Sequence, residues 1–174
     1  MGTARTTRTT GIDVLELLTS QHREVDALIE QLEQRNGDIR AAFNELADKL
    51  AAHATVEERI FYPQTMSQET SELLHESVEE HLAIKRILAD MLTMELSSDE
   101  FDAKLSVLKE SVSHHAHEEE EGKLFPKLRT LLDVDQRAAL GNEVLALFEQ
   151  LLPKHPARNV PSEIAEAAPL PPVR

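Results

Sequence analysis

The 174-residue chain is 41% hydrophobic and 29% charged, and its 18 Lys+Arg against 32 Asp+Glu leave a formal net charge of −14. With no Cys it can form no disulfide, zinc–thiolate site, iron–sulfur cluster or thiol nucleophile, so any metal must rest on carboxylates and the eight His. An acidic balance without a basic cluster argues against nucleic acid and anionic membranes as partners, because the long-range field repels phosphate. No apolar run approaches the ~18 to 20 residues of a membrane helix. The N-terminal MGTARTTRTTG lacks the apolar segment of a secretory signal, so a water-soluble, cytoplasmic protein is the default expectation.

Five Gly and 3% aromatics, in a chain rich in Leu, Ala, Glu and Gln, favour helix over strand. Residues 1–10 are polar and unpatterned, and six of the eight Pro fall in a segment starting at Pro153 and ending APLPPVR. Both ends are expected to be disordered, the second with polyproline character, which leaves one helical domain over residues 11–152. Inside it, apolar residues recur at steps of three and four. The first helix carries Leu15, Leu18, Val25, Ile29 and Leu32 and ends near Asn36-Gly37, a left-handed turn signal. The second carries Phe43, Leu46, Leu50 and Ile60 and ends at Pro63. The third starts near Ser71, carries Leu74, Ile84, Leu88 and Met91, and stops before Ser97-Ser98. Ser97 with Glu100 has the spacing of a capping box for the fourth, which carries Phe101, Leu105, Leu108 and Val112 and ends between Gly122 and Pro126. A further helix is expected from Asp135 to Leu152. Short joints between long helices favour an all-α, up-down-up-down antiparallel four-helix bundle with this additional C-terminal helix.

The gaps in each apolar seam are filled by His. The seams read Leu15, Leu18, His22, Val25, Ile29, then Phe43, Leu46, Leu50, His53, Glu57, Ile60, then Leu74, Ser77, His81, Ile84, Leu88, and finally Phe101, Leu105, Leu108, Val112, His115, Glu119. Residues i and i+4 share a helix face, so each helix aims one His at the bundle axis and two also aim a Glu. The order is duplicated, with HATVEERIFYP at residues 53–63 and HHAHEEEEGKLFP at residues 114–126. A lone His on an apolar stripe is more often a core residue than a ligand. Six polar intrusions in duplicated order are not so explained, and two carboxylates facing each other in a core are strongly unfavourable without a cation. Imidazole and carboxylate without thiolate suit Fe, Mn or Zn, and two carboxylates able to bridge point to a two-metal site. Of about 12 octahedral positions, four His and two bridging carboxylates fill ~8 and a bridging oxygen ~2, leaving about two for small ligands.

This order of His, His-x-x-x-Glu, His, His-x-x-x-Glu, with FYP and LFP endings, resembles the hemerythrin-like, or HHE cation-binding, domain over about residues 12–130. The resemblance implies a non-haem di-iron cofactor, oxo- or hydroxo-bridged, with His22, His53, His81 and His115 as terminal ligands and Glu57 and Glu119 as bridges. It further implies binding or sensing of dioxygen, nitric oxide, peroxide or iron. The alternative is a di-iron enzyme with catalase, peroxidase or ferroxidase activity. The sequence departs from hemerythrin at Ser77, where a fifth His would stand, with Glu58, Glu118 and Tyr62 as the substitutes to examine. The second repeat is also one residue longer, with eleven residues from His115 to Pro126 against ten from His53 to Pro63. A π-bulge or an early helix end within Glu118 to Gly122 would absorb the insertion. The apolar seam favours pairing His115 with Glu119 over the equally spaced His114 with Glu118 and His117 with Glu121. Glu72-x-x-His75 lies off the seam, His155 sits in the Pro-rich segment, and Phe61 and Phe125 are expected to pack the bundle end.

Overall fold

The computed structural model describes residues 11–173, so the expectation for residues 1–10 lies outside the described residues. Asp13 caps α1 (Val14–Glu33) by accepting from the Leu15 N–H at 2.9 Å, and Asp38 caps α2 (Ile39–Val56) by accepting from Ala41 at 3.0 Å. Between them Gly37 takes φ +74°, the left-handed conformation that closes the turn. The backbone of α2 does not stop at Pro63. It widens into a π-helical segment, π1 (Glu57–Phe61), and runs on through α3 (Tyr62–Thr65).

The second hairpin repeats this plan. The helix α4 (Ser71–Met91) leads to α5 (Asp99–Ser113), whose cap is Ser98, accepting from Phe101 at 3.1 Å, rather than Ser97. The chain then widens into π2 (His114–Leu124) and continues through Pro126 in α6 (Phe125–Leu131). A proline ring inside an α-helix clashes with the carbonyl four residues back. Both prolines here directly follow a turn whose bonding has slipped to five residues, Tyr62 N–H to Glu57 O and Phe125 N–H to Glu120 O. That is why neither proline ends its helix. The additional helix is α7 (Val134–Leu151), started by a reciprocal capping box between Asp133 and Gln136.

Helix α1 packs on α2, α4 on α5, and α1 on α5, while α7 lies along α1 and α2. The apolar core is divided in two. One part, with Ile29, Leu46, Leu88 and Leu105, fills the end near the 34–38 and 92–98 turns. The other, with Leu15, Val56, Phe61, Leu74 and Phe125, fills the end covered by α7. Between them lies a layer of buried polar side chains.

The Pro-rich segment corrects the expectation of a disordered tail. Two short 3-10 helices, Leu152–Lys154 and Pro156–Ser162, lead into an extended run, and the segment lies over the groove between α2 and α4. Its apolar members Ala157 and Val160 are buried in the core beneath. The Arg86 guanidinium donates to the carbonyls of Ile164 and Ala165, and Asp48 accepts from His155 and from the Ala157 N–H. Pro fixes φ without needing a backbone donor, which suits a strap held by side chains rather than by a helix ladder. No helix among the described residues is long and apolar enough to cross a membrane.

Candidate metal centre

The polar layer brings together His22 from α1, His53 at the end of α2, Glu57 of π1, His81 from α4, and His115 and Glu120 of π2. The Glu57 carboxylate spans the layer, with Oε1 3.2 Å from His53 Nε2 and Oε2 3.1 Å from His81 Nε2. Glu120 Oε2 lies 3.1 Å from His22 Nε2 and 3.8 Å from His115 Nε2. His81 and His115 turn their Nε2 atoms toward each other at 3.0 Å. All six side chains are buried, the two carboxylates completely.

The donors therefore fall into two groups that share Glu57: His22, His53, Glu57 and Glu120 on one side, and Glu57, His81 and His115 on the other. In the first group His22 Nε2, His53 Nε2, Glu57 Oε1 and Glu120 Oε2 are buried and face one another, His22 with Glu120 at 3.1 Å and His53 with Glu57 at 3.2 Å, in a geometry that makes no hydrogen bond. Four orphaned donor atoms converging in one place are costly in a protein interior, and a cation is what would satisfy them together. The donor set, imidazole nitrogen and carboxylate oxygen, fits such an ion.

Each imidazole is held from behind. His22 Nδ1 donates to Glu121 at 2.7 Å, His53 Nδ1 to the Gln21 amide oxygen at 2.7 Å, His81 Nδ1 to Glu58 at 3.1 Å and His115 Nδ1 to Glu80 at 2.7 Å. The acceptors hold each Nδ1 as a donor, so that every Nε2 points into the layer. The arrangement is pseudo-twofold: Gln21-His22 matches Glu80-His81, and Glu57-Glu58 matches Glu120-Glu121. Two differences between the halves bear on the hydrogen bonding of the layer. Gln21 stands where the other half has Glu80, and Tyr62 stands where it has Phe125. Tyr62 donates to Glu120 Oε1 at 2.9 Å, and its oxygen lies 3.3 Å from both Glu57 Oε2 and His81 Nε2. Phe125 instead stacks on His22 with ring centroids 6.1 Å apart.

With no cation present, the carboxylates of the layer favour protons on His22 and His81. Burial alone would lower the His22 pKa, but the Glu120 carboxylate 3.1 Å from Nε2, with the Glu57 charge, raises it to about 9. Burial likewise opposes protonation of His81, and the hydrogen bonds to Glu57 and Glu58 overcome it, raising the pKa to about 10. Burial would push the Glu57 carboxyl up, yet the His53 and His81 partners hold it well below its ordinary value. Tyr62 is driven well above the ordinary phenol value by burial and by the Glu120 and Glu57 charges, so it remains a donor.

The structure corrects the expectation for Glu119. Its Oε1 binds Lys123 at 2.5 Å, and Glu120 occupies the place assigned to it by the seam. An α-helix puts residues four apart on one face, whereas the wider turn of π2 brings His115 and Glu120, five apart, together. The insertion is thus absorbed by widening, and the register shifts with it. Counting back from each Pro finds the carboxylates that face the layer: Glu57 and Glu120 both stand six before Pro63 and Pro126. Of the substitutes for the missing His, Tyr62 lies in the layer, Glu58 supports His81 from behind, and Glu118 is exposed beside His114. Ser77 is buried and bonds to the Leu73 carbonyl. His75 is exposed and bonds to the Ser71 carbonyl.

A family model described as the hemerythrin HHE cation-binding domain matches residues 13–128. The chain belongs to the hemerythrin HHE cation-binding family. A crystal structure of a hemerythrin HHE cation-binding domain-containing protein from Mycobacterium kansasii aligns with a TM-score of 0.73. It covers 84% of this chain and 98% of that one at 20% identity, a likeness of fold. A protein named DNA nickase from Nostoc sp. strain PCC 7120 is 27% identical over 137 residues, which is 78% of this chain and 39% of that protein. This HHE chain thus spans about two fifths of that relative's length.

Proposed function

We propose that this HHE domain holds two iron ions on His22, His53, Glu57, His81, His115 and Glu120, and binds or senses a small ligand there: dioxygen, nitric oxide or peroxide. The observation that carries the reading is the set of orphaned, mutually facing donor atoms beside a cavity of about 30 Å³. The cavity is lined by the four His and by apolar side chains such as Val25, Leu50, Ile84 and Val112. About 10 to 15 Å³ holds one water, so the space suits a ligand of two or three atoms. A ferrous pair would supply electrons to such a ligand reversibly. Glu57 spans both groups of donors, the four outer acceptors orient the imidazoles, and the apolar wall keeps bulk water away. Tyr62, on the side that lacks the fifth His, supplies a neutral hydroxyl donor.

That same tyrosine favours a second reading, turnover of peroxide, because a hydroxyl beside the site can hold or deliver a proton at its oxygen. We read the nickase named for the Nostoc relative as residing in the part this chain does not span, since a net charge of −14 repels a phosphate backbone. Protein loaded anaerobically with ferrous iron tests both readings. Two irons per chain, with a charge-transfer band that appears under dioxygen and vanishes under vacuum, supports reversible binding. Irreversible conversion that continues to consume hydrogen peroxide supports the enzyme. Failure to retain metal would overturn both.

A further inference from the structure

The cavity beside the His layer has walls from all four bundle helices and one more residue, Val160, from the C-terminal strap. The cavity residues sit about one helical turn from the His on each helix, Val25 after His22, Leu50 before His53, Ile84 after His81 and Val112 before His115. Glu57, Glu120 and Tyr62 belong to the layer itself, so the cavity is the apolar side from which a small ligand would approach. The family model ends at residue 128, well before the strap.

On the strap's outer side is a crevice of about 330 Å³, lined by Thr55, Glu58, Arg59, Glu163 and Glu166 among others. Lys85 lines both spaces. It is buried, and its Nζ lies 2.8 Å from Glu58 Oε2 and 3.2 Å from Glu163 Oε2 of the strap. Lys85 thus stands between the crevice and the inner cavity, tied to Glu58 and to the strap's Glu163. Val160, 1% exposed, lines the cavity where the strap lies against α2 and α4.

We propose that the strap is part of the ligand site: Val160 sets the size of ligand the cavity admits, and the Lys85–Glu163 pair is the gate on the path from the crevice. The proposal rests on the small-ligand reading of the cavity, but the wall itself exists without metal. Val160→Ala removes two methyl groups from the wall, and Val160→Phe fills the cavity. Glu163→Gln weakens the hold on Lys85 while leaving the cavity volume intact. A methylene in an apolar pocket discriminates ligands about tenfold or more, which sets the expected effect of the Val160 changes.

Two measurements on the full chain test this. Metal-free protein is placed under dioxygen pressure, and paramagnetic broadening of the methyl resonances of Ala51, Ala54 and Ile84 is read by NMR. Ferrous-loaded protein is mixed with nitric oxide in stopped flow, with metal per chain measured alongside. The expected result is broadening in the parent that grows in Val160→Ala and disappears in Val160→Phe. Nitric oxide association should be faster by about tenfold in Val160→Ala, slower by as much in Val160→Phe, and faster in Glu163→Gln, at unchanged metal content. Equal broadening in parent and Val160 variants, or equal association rates at equal loading, would overturn the proposal. Broadening that follows Val160 in a protein that retains no metal would overturn the metal reading and leave the strap as the wall of a gas cavity.

Discussion

At the scale of single residues, the sharpest consequence is the difference between two adjacent carboxylates. Glu120 faces His22 and His115, whereas Glu119, whose Oε2 is likewise buried without a partner, faces none of the four inner His and binds Lys123 through Oε1. Glu120→Gln should therefore lower metal per chain to about one or less, while Glu119→Gln retains the parent's content. Metal analysis after gel filtration decides it, and the reverse pattern would restore the α-helical register. The outer acceptors make a graded prediction. Glu80 accepts from His115 Nδ1 at 2.7 Å, and loss of such a partner costs about 10- to 100-fold in metal affinity. Glu80→Gln should weaken competition against a chelator to that extent without changing stoichiometry. Five of the six facing side chains were legible in the sequence because an α-helical seam aims i and i+4 inward. The sixth was not, because a π-turn changes which residue faces the axis, and periodicity alone does not announce where the turn widens. Gln21, Glu58, Glu80 and Glu121 were illegible for another reason: each supports a His on a different helix, and such pairing is set by the bundle.

At the scale of elements, α1, α2, α5 and α7 follow from apolar periodicity and side-chain caps, and α4, which has no side-chain cap, from periodicity alone. The ends of α2 and α5 could not be read in advance, because Pro63 and Pro126 stop an α-helix but are tolerated just beyond a widened turn. The Pro-rich segment has the composition of a disordered chain, while its order comes from partners on other elements: Asp48, Lys85 and Arg86. Close packing of α7 makes a further prediction. At Gly141 an added Cβ would stand 1.9 Å from the Ile12 carbonyl oxygen, a backbone atom that must move for it to fit. In an exposed helix Gly→Ala stabilises by up to ~1 kcal/mol, but overpacking costs about 1–3 kcal/mol, so here the clash wins. Gly141→Ala should lower the urea midpoint. A raised midpoint would mean that residues 11–13 do not lie against α7 in solution.

For the whole molecule, the polar layer joins the two halves of the core, and its occupancy links stability to pH and metal. In the metal-free protein His22 and His81 have pKa values raised from 6.5 to about 9 and about 10. Between 6.5 and those values the folded state binds more protons than the unfolded chain, so stability falls as pH rises. Their contribution is complete below pH 6.5 and is lost on passing through about 9 to 10. Glu57 acts in the opposite sense: its depressed pKa stabilises above the ordinary 4.5 and that contribution is lost as acid protonates the carboxylate. Metal-free protein should therefore be most stable between about pH 4.5 and 6.5 and weaken steadily into the alkaline range. A bound cation replaces the protons on His22 and His81, because a coordinating imidazole is neutral. Loading near neutral pH should thus release protons, visible as a dependence of calorimetric heat on the ionisation enthalpy of the buffer. The loaded protein should also melt higher, as any ligand specific to the folded state requires. Its alkaline decline should start later, since no imidazolium is left to lose. Urea midpoints of the metal-free and loaded forms across pH 5 to 10 provide the check. A metal-free profile flat from pH 6 to 10 would mean that the layer is not held by shared protons, and an unchanged alkaline slope after loading would mean that the metal sits elsewhere.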